Sequence, residues 1–474
     1  MPLSKEAANS DLGQMNEVGK TVQAIDRIFN AKSVAVVGAS SDPRKRGYMT
    51  LETIIKGGYE GAIYPVNPNG GEILGLRVYR SLGELPQSPD IVVVVVPAVS
   101  VPAVLRQAGE MGVLGVVILT AGFREAGRQD LEREIVGISR RYAFRIAGPN
   151  IQGINYLANK LCAMFFPVIT TKGPIAIISQ SGSVTAALSE WAADEGLGIS
   201  AAINLGNQVD LCESDYLNFL ETDENTKAIA MYLEGVKDGR QFLDTIKRVA
   251  PQKPIVILKS GRTPVGQRSV TSHTGSFAGS HQVLCAACRQ FGVIDVSNME
   301  ALYDGVKVLA TIKPPSGNRL LIITTSGGTG AIAADEAEEL GLSVPALSES
   351  LLRELKRLEL SPVANLSNPC DLTSVNADHF KQVALLADQF DVADVILINF
   401  SDPMKGGVEV VKYLAANLKV SLAVSYMGGG EEEKFGRVRL QEAGIPVFPT
   451  PERATRGIAA AVWLARYRKT RREQ

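Results

Sequence analysis

The sequence predicts an α/β protein built on parallel, doubly wound sheets, and three observations carry that prediction. Short apolar segments rich in Val and Ile alternate with helical patterns, which is typical of parallel strands joined by helical crossovers. Several segments run into a glycine-containing turn, as Ser33–Ser40 does. A strand, an S-G turn and an Ala-rich helix then recur with one offset, because 326 − 181 = 145 and 341 − 196 = 145. Ligands of such sheets bind at the carboxyl ends of the strands.

Composition bounds the class of protein. The 474 residues correspond to roughly three domains at about 150 residues each. Lys and Arg number 49 against 50 Asp and Glu, so the net charge of −1 gives no reason to expect a nucleic-acid or membrane partner. The first residues lack the apolar core of a signal peptide, and five cysteines do not indicate a disulfide framework. We therefore expect a cytoplasmic protein.

The first domain is predicted to be Rossmann-type and to span residues 25–153, after a polar arm at 1–24. Its opening strand, SVAVV, enters the turn Gly38-Ala39-Ser40, and a basic loop and a helix follow. The later strands are predicted within four segments, AIYPVNP, IVVVVVPA, VLGVVILTAGF and FRIAGPN.

The first turn does not fit a nicotinamide dinucleotide. Such a site needs G-x-G-x-x-G after the first strand and an acidic residue near the end of the second, and both are missing here. Lys45 and Arg46 follow the turn instead. They suit a ligand with more phosphate, such as coenzyme A, although solvated loop charges are the alternative.

Two further domains are predicted after a linker at residues 154–172. The second domain, 173–314, contains the turn Ser181-Gly182-Ser183 at the start of a helix, and Glu234 at the carboxyl end of a strand. The third domain, 315–466, repeats the turn as Ser326-Gly327-Gly328. Free N–H groups and the helix dipole make each helix start a possible phosphate site, although either turn alone could serve only packing.

One histidine stands in an unusual setting. Of the three histidines, His273 lies in VTSHTGSFAGSH, among small and hydroxyl residues that can hydrogen-bond an anion. A phosphate-accepting nucleophile and a turn histidine with no role are both open on these residues alone. His281, His379 and the C-x-x-C of Cys285 and Cys288 are interpreted as structural, and no metal site is predicted.

The number and order of these motifs resemble the NDP-forming acyl-CoA synthetases, the superfamily of succinyl-CoA synthetase. The resemblance covers nearly the whole chain from Ser33 and is greatest to the α subunit of ADP-forming acetate- or acyl-CoA ligases. The motifs that carry it are VAVVGAS, YPVNP, VPA, AGF-x-E, GPN-x-x-G, ISQSGS, YLEG, SHTGS, SGG-x-G and NPCDL. The resemblance implies a CoA-binding Rossmann-type domain followed by two flavodoxin-like three-layer domains.

The resemblance also implies roles for residues. His273 would be the phosphorylated histidine, and Glu234 the carboxylate that orients it. Coenzyme A, a substrate, would be bound by residues that match the family's CoA motifs, with Asn150 near the thioester: Gly38, Ala39, Ser40, Lys45, Asn67, Pro97 and Asn150. Phosphate would be bound at the two helix starts: Ser181, Gly182 and Ser183, and Ser326, Gly327 and Gly328.

The implied reaction converts acyl-CoA and phosphate into acyl phosphate and CoA, passes the phosphoryl group to His273 and then to ADP. Nothing in the sequence resembles an ATP-grasp domain, so the expected partner is an ATP-grasp β subunit in a heterotetramer, which would hold ADP or ATP and Mg²⁺. Ile151-Gln152 departs from the family pattern within GPN-x-x-G and leaves the acyl group open. The competing functions are a non-catalytic CoA- or acyl-CoA-binding regulator and, less favoured because the dinucleotide motif is absent, a Rossmann oxidoreductase.

Overall fold

The structure, a computed structural model, describes residues 17–274 and 281–473, and only the main chain at 271–274, 472 and 473. The chain divides into two compact units. The first unit runs to Ala193 and adds Gly198–Lys253 and Ile257–Ala287, and the second consists of Asp194–Leu197, Pro254–Val256 and the chain from Cys288 onward.

The first unit begins with a helix and a five-stranded parallel sheet in the order β2-β1-β5-β6-β7. A two-stranded hairpin of β3 and β4 follows β2. The strands are β1 (Ser33–Val37), β2 (Ala62–Val66), β3 (Glu72–Ile73), β4 (Leu76–Arg77), β5 (Ile91–Val94), β6 (Gly115–Ile118) and β7 (Arg145–Ala147). The helices are α1 (Glu17–Phe29), α2 (Arg46–Lys56), α3 (Val101–Glu110) and α4 (Gln129–Tyr142). The predicted parallel α/β sheet is thus confirmed.

The nearly continuous apolar sequence of the central strands indicates that this sheet is covered on both faces. Every residue of β1 and β5 is buried, as expected for strands inside a parallel sheet. One face, which includes Ala35 and Val92, packs against Leu105 of α3 and Ile135 of α4.

Helix α1 changes the interpretation of the polar arm. Its residues from Glu17 onward are helical, whereas residues 1–24 were expected to be a loosely held arm. The helix is amphipathic and buries Ile25, Ile28 and Phe29, and the Phe29 ring stacks on Tyr156 with 4.9 Å between centroids. Residues 1–16 lie outside the described residues.

The second sheet has seven strands in the order β14-β13-β12-β10-β11-β8-β9. Its strands are β8 (Gly153–Tyr156), β9 (Leu161–Met164), β10 (Lys172–Ser179), β11 (Ile199–Asn204), β12 (Ala228–Leu233), β13 (Ile255–Lys259) and β14 (Ile294–Val296). The helices between them are α5 (Gly182–Asp194), α6 (Glu213–Thr222), α7 (Gly239–Val249), α8 (Pro264–Thr274) and α9 (His281–Phe291). Strand β10 pairs in parallel with β11 and β12, so the turn after β10 lies at the carboxyl edge.

The segment 154–172, expected to be a linker, contains most of an antiparallel hairpin. Strand β8 pairs with β9 and also with β11, so the hairpin extends the second sheet. All eight residues of β8 and β9 are buried. The predicted domain boundaries stay a prediction, but this part of the segment is regular structure.

The second unit is a three-layer fold around a third sheet in the order β16-β17-β15-β18-β19-β20. Its strands are β15 (Leu320–Thr324), β16 (Asn365–Leu366), β17 (Cys370–Asp371), β18 (Val395–Phe400), β19 (Ser421–Tyr426) and β20 (Val447–Phe448). The helices are α10 (Met299–Thr311), α11 (Gly327–Glu339), α12 (Glu349–Leu355), α13 (Ala377–Gln389), α14 (Gly407–Asn417), α15 (Glu431–Glu442) and α16 (Pro451–Glu473).

Alternate residues of β15 point to opposite sides of this third sheet. Leu321 and Ile323 pack with helices α12 to α15, whereas Leu320 and Ile322 pack with α10, α11 and α16. Both faces are therefore covered, as the three-layer prediction requires. Within the described part of the chain, no helix is long and apolar enough to cross a membrane.

Candidate functional site

In the first sheet, the strand order reverses between β1 and β5. The order β2-β1-β5-β6-β7 is that of a flavodoxin-like doubly wound sheet, whose ligand crevice lies at this reversal. Gly38 directly follows β1, and Pro97 lies three residues after β5. The structure therefore brings two residues of the predicted CoA site to the carboxyl ends of two neighbouring strands.

Glycine is required where the first turn approaches its neighbours. Gly38 has φ +96°, and a Cβ at this position would lie 2.6 Å from the main-chain oxygen of Val95. A Cβ on Gly47, in the first turn of α2, would clash with the main-chain oxygen of Gly38. The start of α2 thus packs directly on the turn after β1, and this close packing requires both glycines.

Asn67 fastens the end of β2 to the same turn. Its side-chain amide donates to the main-chain oxygen of Ala39 at 2.8 Å, while its Oδ1 accepts from the N–H of Asn69 at 2.9 Å. Lys45 is exposed and precedes α2 with extended backbone, and its side chain does not cap the helix. The amide of Asn67 and the ammonium of Lys45 lie on the loops that flank this turn. Ser40 Oγ accepts from the N–H of Asp42 at 3.1 Å.

Asn150 follows β7 at the same edge of the sheet. It adopts φ +61°, and its N–H donates to the main-chain oxygen of Thr120 at 2.9 Å. Its side-chain Nδ2 donates to Oδ1 of Asn207, 3.3 Å away, in the loop after β11. This contact connects the carboxyl edges of the first and second sheets.

Glu234 directly follows β12, as predicted, and its main chain is clamped by a side chain. Gln180 Oε1 accepts from the N–H groups of Glu234 and Gly235, the second at 3.0 Å. Gln180 Nε2 donates back to the main-chain oxygen of Gly235 at 2.8 Å. Glu234 is 7% exposed, so a buried residue has its main chain fixed at this strand end.

Lys259, the last residue of β13, is a functional candidate that sequence reasoning missed. Its ammonium donates to the main-chain oxygen of Glu234 at 2.7 Å and also to that of Ser260. The residue is 2% exposed. Burial lowers the pKa of Lys259, and the Glu234 carboxylate opposes that effect by favouring the charged form. A lysine that ends an otherwise apolar strand was the available signal in the sequence.

The turn at the predicted helix start after β10 is stabilised by the hydroxyl of Ser179. Ser179 Oγ donates to the main-chain oxygen of Ser181 at 2.7 Å and accepts from the Ser181 N–H at 3.1 Å. Helix α5 then begins at Gly182. Gly182 packs against Gln152, where a Cβ would lie 3.0 Å from the Gln152 side chain, and Ser183 is exposed. The first N–H groups of α5 thus lie at the carboxyl edge that also holds Glu234.

The third sheet repeats this arrangement within its own unit. Helices α5 and α11 begin and end at one offset, because 327 − 182 = 145 and 339 − 194 = 145. Thr324 Oγ1 donates to the main-chain oxygen of Ser326 at 3.0 Å and accepts from the Ser326 N–H at 3.1 Å. Ser326 caps α11 without a side-chain hydrogen bond, so its first N–H groups, near Gly327 and Gly328, are not used by the cap.

His273 lies in the last turn of helix α8, not in a loop as the sequence was interpreted. Its side chain lies outside the described part of the structure, as do residues 275–280 of the same segment. The geometry therefore does not test its predicted pairing with Glu234, and that pairing stays a prediction.

The other two histidines have local partners. A ring nitrogen of His281 lies 3.3 Å from Cys285 Sγ, one turn along α9, and Cys288 on that helix is fully buried. His379 Nδ1 lies 3.0 Å from Ser374 Oγ. The structural interpretation of both histidines stays a prediction.

Comparison with known families matches two segments of the chain. A CoA binding domain matches residues 32–156, and a succinyl-CoA ligase like flavodoxin domain matches residues 172–309. Both matches agree with the α/β fold predicted from the motifs and observed in the sheets.

Known proteins are similar along almost the whole chain. The ADP-forming acetate–CoA ligase I subunit alpha of Pyrococcus furiosus is 39% identical over 94% of this chain and 100% of its own length. The ADP-forming acetate–CoA ligase I of Archaeoglobus fulgidus is 36% identical over 94% of this chain and 64% of its own length.

A solved structure is similar in fold as well. The dinucleotide-forming acetyl-coenzyme A synthetase 1 of Ca. Korarchaeum cryptofilum, in complex with phosphate and ADP, superposes with a TM-score of 0.87. It is 36% identical, and the match covers 95% of this chain and 98% of that protein. The chain therefore belongs to the family of ADP-forming acetate–CoA ligases.

Proposed function

We propose that this chain is the α subunit of an ADP-forming acyl-CoA synthetase and carries the acyl-CoA half of the reaction. In the direction of ATP synthesis, a phosphate oxygen attacks the thioester carbonyl carbon, the C–S bond breaks and CoA leaves as the thiol. A ring nitrogen of His273 then attacks the phosphorus of the acyl phosphate, the P–O bond to the acyl group breaks and the carboxylate leaves. Phosphohistidine transfers the phosphoryl group to ADP.

Glu234 is proposed to prepare His273 for attack. An imidazole can attack through one nitrogen while the other holds a proton, and a carboxylate that accepts that hydrogen bond stabilises the cation that forms. The fixed, buried position of Glu234, between Gln180 and Lys259, is the observation that best supports this role. The N–H groups at the starts of α5 and α11 are proposed to bind phosphate, with Ser181–Ser183 and Ser326–Gly328 at those starts.

The substrate end of the proposal rests on the first sheet. Coenzyme A is proposed to lie over the turn of Gly38, Ala39 and Ser40, with Lys45, Asn67 and Pro97 around it and Asn150 near the thioester. The packing of Gly47 on Gly38, which holds the start of α2 against this turn, supports this placement. No metal ligand is assigned to this chain.

A partner is proposed for the nucleotide step. One relative is named a subunit alpha, and the solved relative was obtained with phosphate and ADP. We propose an ATP-grasp β subunit that holds ADP or ATP with Mg²⁺, in a cytoplasmic heterotetramer.

Incubation of the chain with acetyl-CoA and ³²P-phosphate tests the function. Acid-labile, base-stable label on His273, mapped by peptide mass spectrometry, is the expected result. His273→Ala should abolish the label, whereas the matched control His379→Ala should keep it. CoA binding without label in the wild-type chain would favour a CoA-binding regulator, and equal label in His273→Ala would overturn the mechanism.

A further inference from the structure

Asn207, in the loop after β11, is a polar hub whose side chain and main chain are both fully engaged. Its Nδ2 donates to Glu125 Oε2 at 2.6 Å and to Glu132 Oε1 at 2.7 Å. An amide nitrogen has two hydrogens, so both are used, and the two carboxylates fix which end of the amide faces them. The residue is 4% exposed.

The opposite end of this amide holds Asn150. Oδ1 of Asn207 accepts from Nδ2 of Asn150 at 3.3 Å, and the N–H of Asn207 donates to the main-chain oxygen of Pro149 at 2.9 Å. The side-chain oxygen of Asn150 accepts no hydrogen bond from the described residues, and one Nδ2 hydrogen also stays available. Asn207 therefore sets the orientation of an amide that still has a donor and an acceptor for a ligand.

Charged groups surround the hub on three other elements. Burial acts to raise the pKa of Glu125, but hydrogen bonds from Asn207 and from the N–H groups of Gly122 and Phe123 hold that pKa below its usual value. Lys237 Nζ donates to the main-chain oxygen of Asn207 at 2.9 Å, and Arg124 donates to the same oxygen. Two carboxylates thus lie at the side-chain amide, and two cations at the main-chain oxygen.

The position of the hub connects these contacts to the chemistry. Glu125 and Glu132 follow β6, Asn150 follows β7, and Lys237 follows β12, so carboxyl ends from two sheets meet at Asn207. One of these loops also carries Glu234, three residues before Lys237. Because Asn207 contacts all of these loops, it is placed to set the position of a thioester bound at the first sheet relative to Glu234 at the second sheet.

We propose that Asn207 is a positioning residue for acyl transfer: through its amide it holds Asn150 in place for the acyl end of acyl-CoA. The inference rests on the proposed function. It assigns Asn207 no direct contact with substrate and no part in holding the nucleotide end of CoA.

Asn207→Asp is the decisive variant, because it keeps the shape and removes both donors. The new carboxylate would face Glu125 and Glu132, so Asn150 should lose its fixed position at neutral pH. We expect kcat/KM for phosphate-dependent CoA release from acetyl-CoA to fall about 10- to 100-fold at pH 8, the cost of a small misplacement. The ratio of variant to wild type should rise as pH falls to 6, because a proton on the cluster restores a donor. The Kd of CoA should stay within about twofold.

A reciprocal exchange keeps the test sharp if the single variant folds poorly. Asn207→Asp combined with Glu132→Gln restores an amide donor opposite the new carboxylate, so acyl transfer should recover at pH 8. Asn218→Asp is the matched control, since Asn218 is also buried but accepts from Arg248 rather than donating to carboxylates. It should leave acyl transfer unchanged.

The outcomes separate this inference from the proposed function. A wild-type chain without phosphate-dependent CoA release overturns both. An active wild type with Asn207→Asp within twofold of it at every pH overturns the positioning role alone. Equal losses in CoA affinity and acyl transfer, with no recovery in the exchanged pair, also overturn it.

Discussion

The ammonium of Lys259, a residue that is 2% exposed, donates to the main-chain oxygen of Glu234 at 2.7 Å. A buried cation thus fixes the main chain of Glu234, the residue whose carboxylate is proposed to orient His273. Because Gln180 Oε1 accepts from the N–H of the same residue, the main chain of Glu234 is fixed at both its N–H and its carbonyl oxygen.

Lys259→Met should slow phosphorylation of His273 about 10- to 100-fold. The change keeps much of the apolar stem but leaves the Glu234 carbonyl without its ammonium donor, and a small shift of a positioned group is enough for such a loss. Quench-flow measurement of labelled phosphohistidine gives the rate. Lys227→Met, on the same unit, is the control, and a Lys259→Met rate equal to that control would contradict the positioning role.

Glu234→Gln should slow His273 phosphorylation by about 10²–10⁴ with little loss of folding stability. The amide keeps the size of the side chain but cannot stabilise an imidazolium. The same labelling assay measures the rate, and thermal unfolding measures stability. An unaffected rate would remove Glu234 from the site.

Gly47→Ala should weaken CoA binding at least tenfold, because its Cβ clashes with the main-chain oxygen of Gly38 and moves α2 away from the turn. Gly137→Ala is the matched control: it lies in helix α4 with open space around it, so it should leave binding unchanged and gain about 0.5–1 kcal/mol of stability. Calorimetric titration with CoA distinguishes them. Similar affinity in the two variants would show that the close approach is not needed for binding.

The Lys237 amine should titrate near pH 8 rather than near the ordinary lysine value. Burial of its ammonium, followed by the charge of Arg124, lowers the pKa to about 8. Competitive acetylation read by peptide mass spectrometry gives the profile, and Arg124→Gln should move the midpoint to higher pH. A Lys237 midpoint near 10.4 would be the contrary result.

The lowered pKa of Lys237 also makes the free energy of unfolding depend on pH. The folded chain releases the Lys237 proton at lower pH than the unfolded chain does, so it binds fewer protons between about pH 8 and 10.5. The contribution of this group to the free energy of unfolding therefore increases as pH rises through that window, and it is unfavourable below it.

Lys307→Met should destabilise the second unit by about 3 kcal/mol, the low end for a broken buried ion pair. Lys307 is fully buried and lies 3.0 Å from Glu195 and 3.6 Å from Asp304. Asp304 keeps Arg453 at 2.7 Å, which limits the loss. Denaturant unfolding measures it, with the exposed Lys356→Met as control. A loss below about 0.5 kcal/mol would contradict this prediction.

The sequence predicted those features that depend on neighbours along the chain. Glu234 was placed correctly because an apolar run ends just before it, and strand β12 does end at Leu233. The turn at Gly38 and the repeated helix starts were predicted from the same kind of local pattern.

Features made by distant residues could not be predicted. The side chain of Asn207 meets partners 57 to 82 positions away, and Lys259 meets Glu234 across 25 positions. The hairpin of β8 and β9 was missed because two buried strands of four residues show no polar alternation. Helix α8 was missed because Ser, Thr and Val around His273 have low helix propensity.

The hydroxyls of Ser179 and Thr324 hold the same turn in two different units, at the same offset of 145. The same substitution of a hydroxyl can therefore be compared at two equivalent turns of one protein. Removal of the hydroxyl by Ser179→Ala or by Thr324→Val changes one turn while the solvent and the rest of the protein stay constant. If only one of the two changes alters phosphorylation of His273, only that turn takes part in the reaction. The duplication itself, rather than a present function, then explains why the other turn has the same geometry.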